Sequence, residues 1–140
     1  MPPKTPAITL VMALSALQSR LFKRLDSQLS VHGISFTEFQ VMAQLNDAMN
    51  KTMRRIELAE TIGLSASGVT RLLAPMEKRH LVQRQSNARD ARVSLVQLSE
   101  SGEELFKDAL TTIEHASEAF MQDLNDEQLK QLNELVQIIR

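Results

Sequence analysis

A mainly α-helical domain with one small β-hairpin is the fold class that this sequence predicts, and three observations carry it. Apolar residues recur at spacings of three and four along most of the chain, the signature of helices buried on one face. That periodicity gives way to near alternation only between Leu81 and Leu98, on either side of a turn-rich tip. A chain of 140 residues with 43% hydrophobic and 24% charged residues fits a single soluble globular domain, large enough to bury its own core.

Thr5 followed by Pro6 reads as a helix N-cap with proline in the first turn. The helix behind it places Leu10, Leu14, Leu17, Leu21, Leu25 and Leu29 on one face as far as about His32, and Gly33 ends it. Ile8, Val11 and Met12 are apolar beyond what one face needs, so part of this helix is expected to pack against a partner chain. Ser35-Phe36-Thr37-Glu38 is a capping box, with Ile34 and Phe39 as its hydrophobic staple. The second helix, from Phe36 to about Asn46, turns Phe39, Leu45 and Met42 or Val41 inward, and residues 46–52 form a polar connector.

Residues 55–82 read as two short helices crossing through a tight turn. Ile56, Ala59 and Ile62, with Leu58 beside them, make the first helix, which stops at Gly63. Leu64 plugs the turn, Ser65 caps the second helix, and Val69, Leu72, Leu73 and Met76 form its inner face. Its other side carries Ser67, Gly68, Thr70 and Arg71, small or hydrogen-bonding residues suited to base edges and phosphates. The same pattern also fits an ordinary helical hairpin with a polar solvent face. Residues 81–86 and 92–98 then read as two strands joined by Asn87-Ala88-Arg89-Asp90-Ala91. Arg84, Arg89 and Arg92 make this hairpin basic, and a guanidinium on a β-ribbon suits a narrow, electronegative minor groove, although a plain exposed hairpin fits as well. Ser99 caps a long helix to about Gln122 with Leu105, Ala109, Ile113, Ala116 and Phe120 inside. A last helix over residues 126–140 begins with a capping-box sequence at Asn125 to Gln128. Its stripe of Leu129, Leu132, Leu135, Val136, Ile138 and Ile139 is too wide for one short terminal helix to bury alone, which predicts a helical dimer interface.

The formal net charge is -1, but it is unevenly spread. Residues 51–92 hold nine Lys or Arg against four acids, a local charge of +5, and the remainder of the chain is at -6. Lys51, Arg54 and Arg55 stand at the foot of the crossing helices, within reach of phosphates or simply solvated. The absence of cysteine excludes disulfides and thiolate chemistry. His32, His80 and His115 lie on separate elements with no carboxylate at ligand spacing, so no metal site is expected. No catalytic site and no cofactor are predicted either, because there is no nucleophile elbow or glycine-rich phosphate loop. With no membrane-length apolar run and no signal-peptide pattern, the expected location is cytoplasmic.

With helix, helix, crossing pair, basic hairpin, long helix and short helix in order, the sequence resembles the MarR family of winged helix-turn-helix regulators over residues 10–139. The resemblance is carried by GISFTEFQVMAQL, LAETIGLSASGVTRLLAPMEKRHLV, NARDARV and LSESGEELF. It implies a single domain over residues 1–140. A winged helix-turn-helix lobe at about residues 34–98 would be flanked by N- and C-terminal dimerisation helices at about 6–32 and 100–140. It also implies a homodimer that binds double-stranded DNA at a near-palindromic operator, usually as a repressor, often released by a small anionic or aromatic effector. On this resemblance Ser65, Ala66, Ser67, Gly68, Thr70 and Arg71 start the recognition helix. Arg89 enters the minor groove, and Asn87, Asp90 and Arg92 shape the wing. Arg54, Arg55, Lys78, Arg84 and Arg92 itself complete the DNA-binding set. Leu17, Leu21, His32, Phe36 and Phe39 are candidate lining for an effector pocket.

Three positions depart from the family pattern. Asn87 replaces a common aspartate, Pro75 stands inside the recognition helix where it predicts a kink, and His80 replaces the glycine that usually ends that helix. Two other readings remain open at this level: a winged-helix protein-interaction module, and a helical small-molecule-binding protein without DNA binding.

Overall fold

A computed structural model describes residues 5–90 and 92–139. The sequence-predicted elements form in order, with one addition. α1 spans Pro6–Leu29, capped by the Thr5 hydroxyl, and passes through a 3-10 turn at Ser30–His32 to Gly33 at φ 71°. α2 is Phe36–Asp47, and both bonds of its capping box form: the Glu38 amide donates to Ser35 Oγ at 3.1 Å, and the Ser35 amide donates to Glu38 Oε1 at 2.8 Å. Val41 and Met42 are both buried there.

The addition is β1, Thr52–Arg54, inside what the sequence presents as a connector and the foot of the next helix. Three residues are too few for an alternating pattern, so only pairing reveals this strand. Asn50 and Lys51 bring the chain to it with positive φ, 56° and 55°. Lys51 Nζ donates to the carbonyl and side-chain oxygens of Asn46 and sits 3.8 Å from Glu103, so this ammonium stitches the connector to the next long helix.

α3, Arg55–Ile62, and α4, Ala66–Lys78, follow. β2, Val82–Ser86, and β3, Ser94–Leu98, are the two hairpin strands. The three strands form one antiparallel sheet in the order β1-β3-β2, with Met53 opposite Val96 and Arg84 also opposite Val96. α5 is Glu100–Phe120 and α6 is Asp126–Ile138, which opens with a complete capping box between Asn125 and Gln128.

One core joins the end of α1, α2, the inner faces of α3 and α4, the sheet and α5. A row of four phenylalanines leads into it: Phe22 meets Phe36 edge-on at 5.1 Å, Phe36 stacks on Phe39 at 6.0 Å, and Phe39 stacks on Phe106 at 5.3 Å. The inner face of α5 runs Gly102, Phe106, Ala109, Ile113 and Ala116, with Leu105 and Phe120 only half-buried. At Gly102 a Cβ would collide with the Leu81 carbonyl oxygen, so only glycine lets the start of α5 lie this close to the backbone that leads into β2. On α3, Leu58 and Ala59 are buried, but Ile56 is 58% exposed, which corrects its expected inward place. Ile56 lies instead along the wall of an open cleft between α3, the start of α4 and the hairpin.

Candidate nucleic-acid interface

α3 and α4 meet through a turn made by local chemistry. Gly63, at φ 78°, lets both its own amide and that of Leu64 donate to the Ala59 carbonyl at 2.9 Å, closing the end of α3. Ser65 Oγ accepts from the Gly68 amide at 3.1 Å and starts α4. Ala59 and Val69 are both buried where the helices cross. Gly68 has a packing role: a Cβ there would lie 3.2 Å from Ser65 Oγ and 3.5 Å from Leu64. Ser65, Ala66, Ser67, Thr70 and Arg71 are exposed on the outer side of α4, as a surface that enters a groove must be.

The basic residues divide into two groups. Arg55 spans from α3 to α4, with Nη2 donating to Thr70 Oγ1 at 3.2 Å and Nη1 3.4 Å from Glu77, and only 15% of its side chain is exposed. It positions α4 as much as it offers charge. Arg54 lies 3.8 Å from Glu57, and Arg92 is held by Asp90. Among the described residues, the side chains of Arg71, Lys78, Arg84 and Arg89 make no ion pair or hydrogen bond, so these four present charge outward. Nothing in the sequence marks the Arg55–Glu77 pair, because its members are 22 positions apart on different helices.

The hairpin tip is shaped by two side chains. Asn87 Oδ1 accepts from the Arg89 amide at 2.8 Å, so asparagine makes the turn without a carboxylate. Asp90 Oδ1 accepts from the Arg92 amide at 3.0 Å and from Arg92 Nε at 3.2 Å. The Arg92 side chain, then its backbone amide, hold the Asp90 carboxyl below the usual aspartate range, so the clasp is charged at neutral pH. The base of the hairpin is stitched by Gln97, which accepts from Gln83 and Gln85 across the strands and donates to the Asn50 carbonyl at 3.0 Å.

Pro75 neither ends nor divides α4, which continues as a single helix to Lys78. Arg71 and Pro75 are both exposed, so the backbone bond that proline removes is lost where water replaces it. His80 adopts the left-handed conformation expected at the helix end, with φ 61°. The Leu81 amide then reaches back to the Met76 carbonyl at 2.9 Å.

A family model described as MarR matches residues 34–94, the run from just before α2 to the start of β3. Over 94 residues the sequence is 30% identical to the transcriptional repressor MprA of Escherichia coli, covering 67% of this chain and 53% of MprA. Residues 34–94 belong to the MarR family. The chain spans about half the length of MprA. Two solved structures share the fold over nearly all of the chain. Sco3205 of Streptomyces coelicolor, solved in complex with DNA, has a TM-score of 0.87 at 23% identity, over 99% of this chain and 89% of its own. CouR of Rhodococcus jostii, solved with p-coumaroyl-CoA, has a TM-score of 0.83 at 22% identity, over 93% and 90%.

Within this MarR fold, the residues proposed to line an effector pocket are already engaged in one chain. Phe36 and Phe39 belong to the phenylalanine row, and His32 Nε2 lies 2.7 Å from Thr112 Oγ1. Leu17 and Leu21 are half-buried on α1. A cleft of about 550 Å³ opens elsewhere, between α3, the start of α4 and the base of the hairpin, with Ile56, Leu64 and Val69 on its apolar side and Arg54 and Arg92 at its rim. Among the described residues, no group of three His, Cys, Asp or Glu side chains is placed to hold a metal, and no helix is long and apolar enough to cross a membrane.

Proposed function

We propose that this protein is a sequence-specific regulator of transcription, a homodimer that binds a near-palindromic operator in double-stranded DNA and represses from it, acting in the cytoplasm. The observation that carries the reading is one surface: the exposed outer side of α4 from Ser65 to Arg71 stands in the same basic lobe as a hairpin whose tip holds the Arg89 side chain free of any partner among the described residues. The helix is suited to a major groove and the tip to the adjacent minor groove. Membership beside the repressor MprA and fold identity with DNA-bound Sco3205 support it. The reading is of a binding protein, not a catalyst.

Dimerisation is supported by apolar surface that the single chain leaves uncovered. Ile8, Val11 and Met12 on α1, and Leu135, Val136 and Ile138 on α6, are exposed, and none of the thirteen residues of α6 is buried. A second copy of the chain is the occupant that such a self-complementary helical face fits, and it gives two recognition helices for two half-sites. The helical region at 6–32 and 100–140 is therefore the dimerisation part, and residues 34–98 are the DNA-binding lobe. By analogy with CouR and its acyl-CoA ligand, a small anionic or aromatic effector completes the proposal.

The test is selection of genomic fragments bound by the purified protein. Enrichment of inverted half-sites about one helical turn apart, with affinity falling steeply as salt rises, is the expected result. No enrichment, or binding indifferent to salt, would overturn DNA binding in favour of a protein-interaction or purely ligand-binding role.

A further inference from the structure

The C-terminal end of α4 runs into a turn, Arg79-His80-Leu81, that is gripped from two sides. On one side the Arg79 guanidinium lies across Gly33. Its Nη1 donates to the Gly33 carbonyl at 2.6 Å, and its Nη2 lies 3.3 Å from where a Cβ on residue 33 would stand. Gly33, in the left-handed region at φ 71°, is where the chain turns from the end of α1 toward α2. On the other side, the hydroxyls of Ser99 and Ser101 both donate to the His80 carbonyl, while the Ser99 amide donates to the Leu81 carbonyl at 3.0 Å. The Gly102 contact locks the start of α5 against that same carbonyl. A single three-residue turn thus ties the recognition helix to α1 and to α5, which leads on to α6.

Geometry makes this turn a fulcrum. α4 has thirteen residues. At 1.5 Å per residue it is about 20 Å long, so a rotation of roughly 10° about its C-terminal end moves its N-terminal residues by about 3.4 Å. That displacement is about the rise of one base pair. We infer that Arg79 is a positioning residue: by fixing α4 against the end of α1 it sets the separation of the two recognition helices in the dimer, and so the half-site spacing the protein accepts. The inference rests on the homodimeric DNA-binding reading above. The Gly33 side of the contact matches it, since a side chain there would both strain the backbone and push against the guanidinium. A guanidinium donating to a carbonyl is also a stronger and more directional tether than a neutral pair.

The test compares the unaltered protein with Arg79→Met and Arg79→Lys. The probes are duplexes carrying two inverted copies of the selected half-site, at the preferred spacing and with one base pair inserted or removed. The unaltered dimer is expected to discriminate among spacings. Arg79→Met should narrow that discrimination by roughly threefold to tenfold. Its affinity for a duplex with one half-site, its salt slope and its sedimentation as a dimer should stay as they were. Arg79→Lys should resemble Arg79→Met, because an ammonium lacks the planar fork that lies over Gly33. An unchanged spacing profile in Arg79→Met would overturn the inference. So would a uniform loss at every spacing, with a salt slope shallower by about one per protomer and recovery in Arg79→Lys, which marks a phosphate contact instead. An unaltered dimer that binds duplex DNA without regard to spacing overturns this inference alone, whereas an unaltered protein that is monomeric or ignores duplex DNA overturns the proposed function with it.

Discussion

The lobe from α2 to β3 and the helical end made by α1 and α6 expose opposite kinds of surface. In the lobe most large apolar residues are turned inward, with Leu58, Val69, Leu73, Met76 and Val96 all buried, and apart from Met49 and Ile56 the outside carries mainly hydroxyls and guanidinium groups. At the helical end the large apolar residues are outside: Val11 is 61% exposed and Ile138 75%. The same hydrophobic periodicity produced both. The difference is that α2, α3, α4 and the sheet close on one another within a chain, whereas, among the described residues, the first turns of α1 and all of α6 contain no buried residue. A lobe complete in the monomer and an end that is not are what a protein needs if it is to hold two identical reading heads at a set distance.

The comparison breaks first if charge is placed at the incomplete end. Leu135→Asp with Val136→Asp should give a monomer in sedimentation while far-ultraviolet circular dichroism shows the lobe still folded, because α6 contributes no buried residue to it. Operator affinity should fall by about a hundredfold or more with the loss of the second half-site. A dimer that survives both charges would place the interface elsewhere. In the lobe the opposite pattern is expected. Arg89→Ala should weaken operator binding by roughly tenfold to a hundredfold in fluorescence anisotropy, with no change in sedimentation or melting temperature. Equal binding by this variant would remove the wing from the interface.

Where the two regions join, Gly102→Ala forces a methyl group against the Leu81 carbonyl. It should cost about 1–3 kcal/mol, read as a melting temperature lower by several degrees. An unchanged melting temperature would mean that α5 can slide without disturbing the lobe. The smallest effect has the opposite sign. His80→Gly relieves a left-handed residue at φ 61°, and should raise stability by no more than about 1 kcal/mol, since glycine also gains freedom in the unfolded chain.

The helices were legible because their causes are local. Ser35 and Glu38, or Asn125 and Gln128, are three residues apart and form the same bonds in any chain that starts a helix there. The two hairpin strands and the left-handed stop at His80 were legible for the same reason. Ile56 and Phe106 were not, since periodicity allows more than one rotation of a helix, and the neighbour that settles it lies elsewhere in the chain. The candidate site divides in the same way. The exposed side of α4 and the tip at Arg89 follow from sequence position, but which arginines are spent within the protein does not: Arg55 is tied to Glu77 and Thr70, and Arg92 to Asp90.

By itself, then, the sequence determined the helices, their caps and stops, the hairpin, and the concentration of positive charge around the crossing pair, all of which act over one or two turns. Only the tertiary structure decided that β1 exists, that Arg55 reaches Glu77 across 22 positions, that Arg79 reaches Gly33 across 46, and that His32 meets Thr112 across 80. The physical reason is that a hydrogen bond or a strand pairing between distant residues leaves no periodic trace. Its partners are chosen by how the packed elements happen to align, after the local forces have acted.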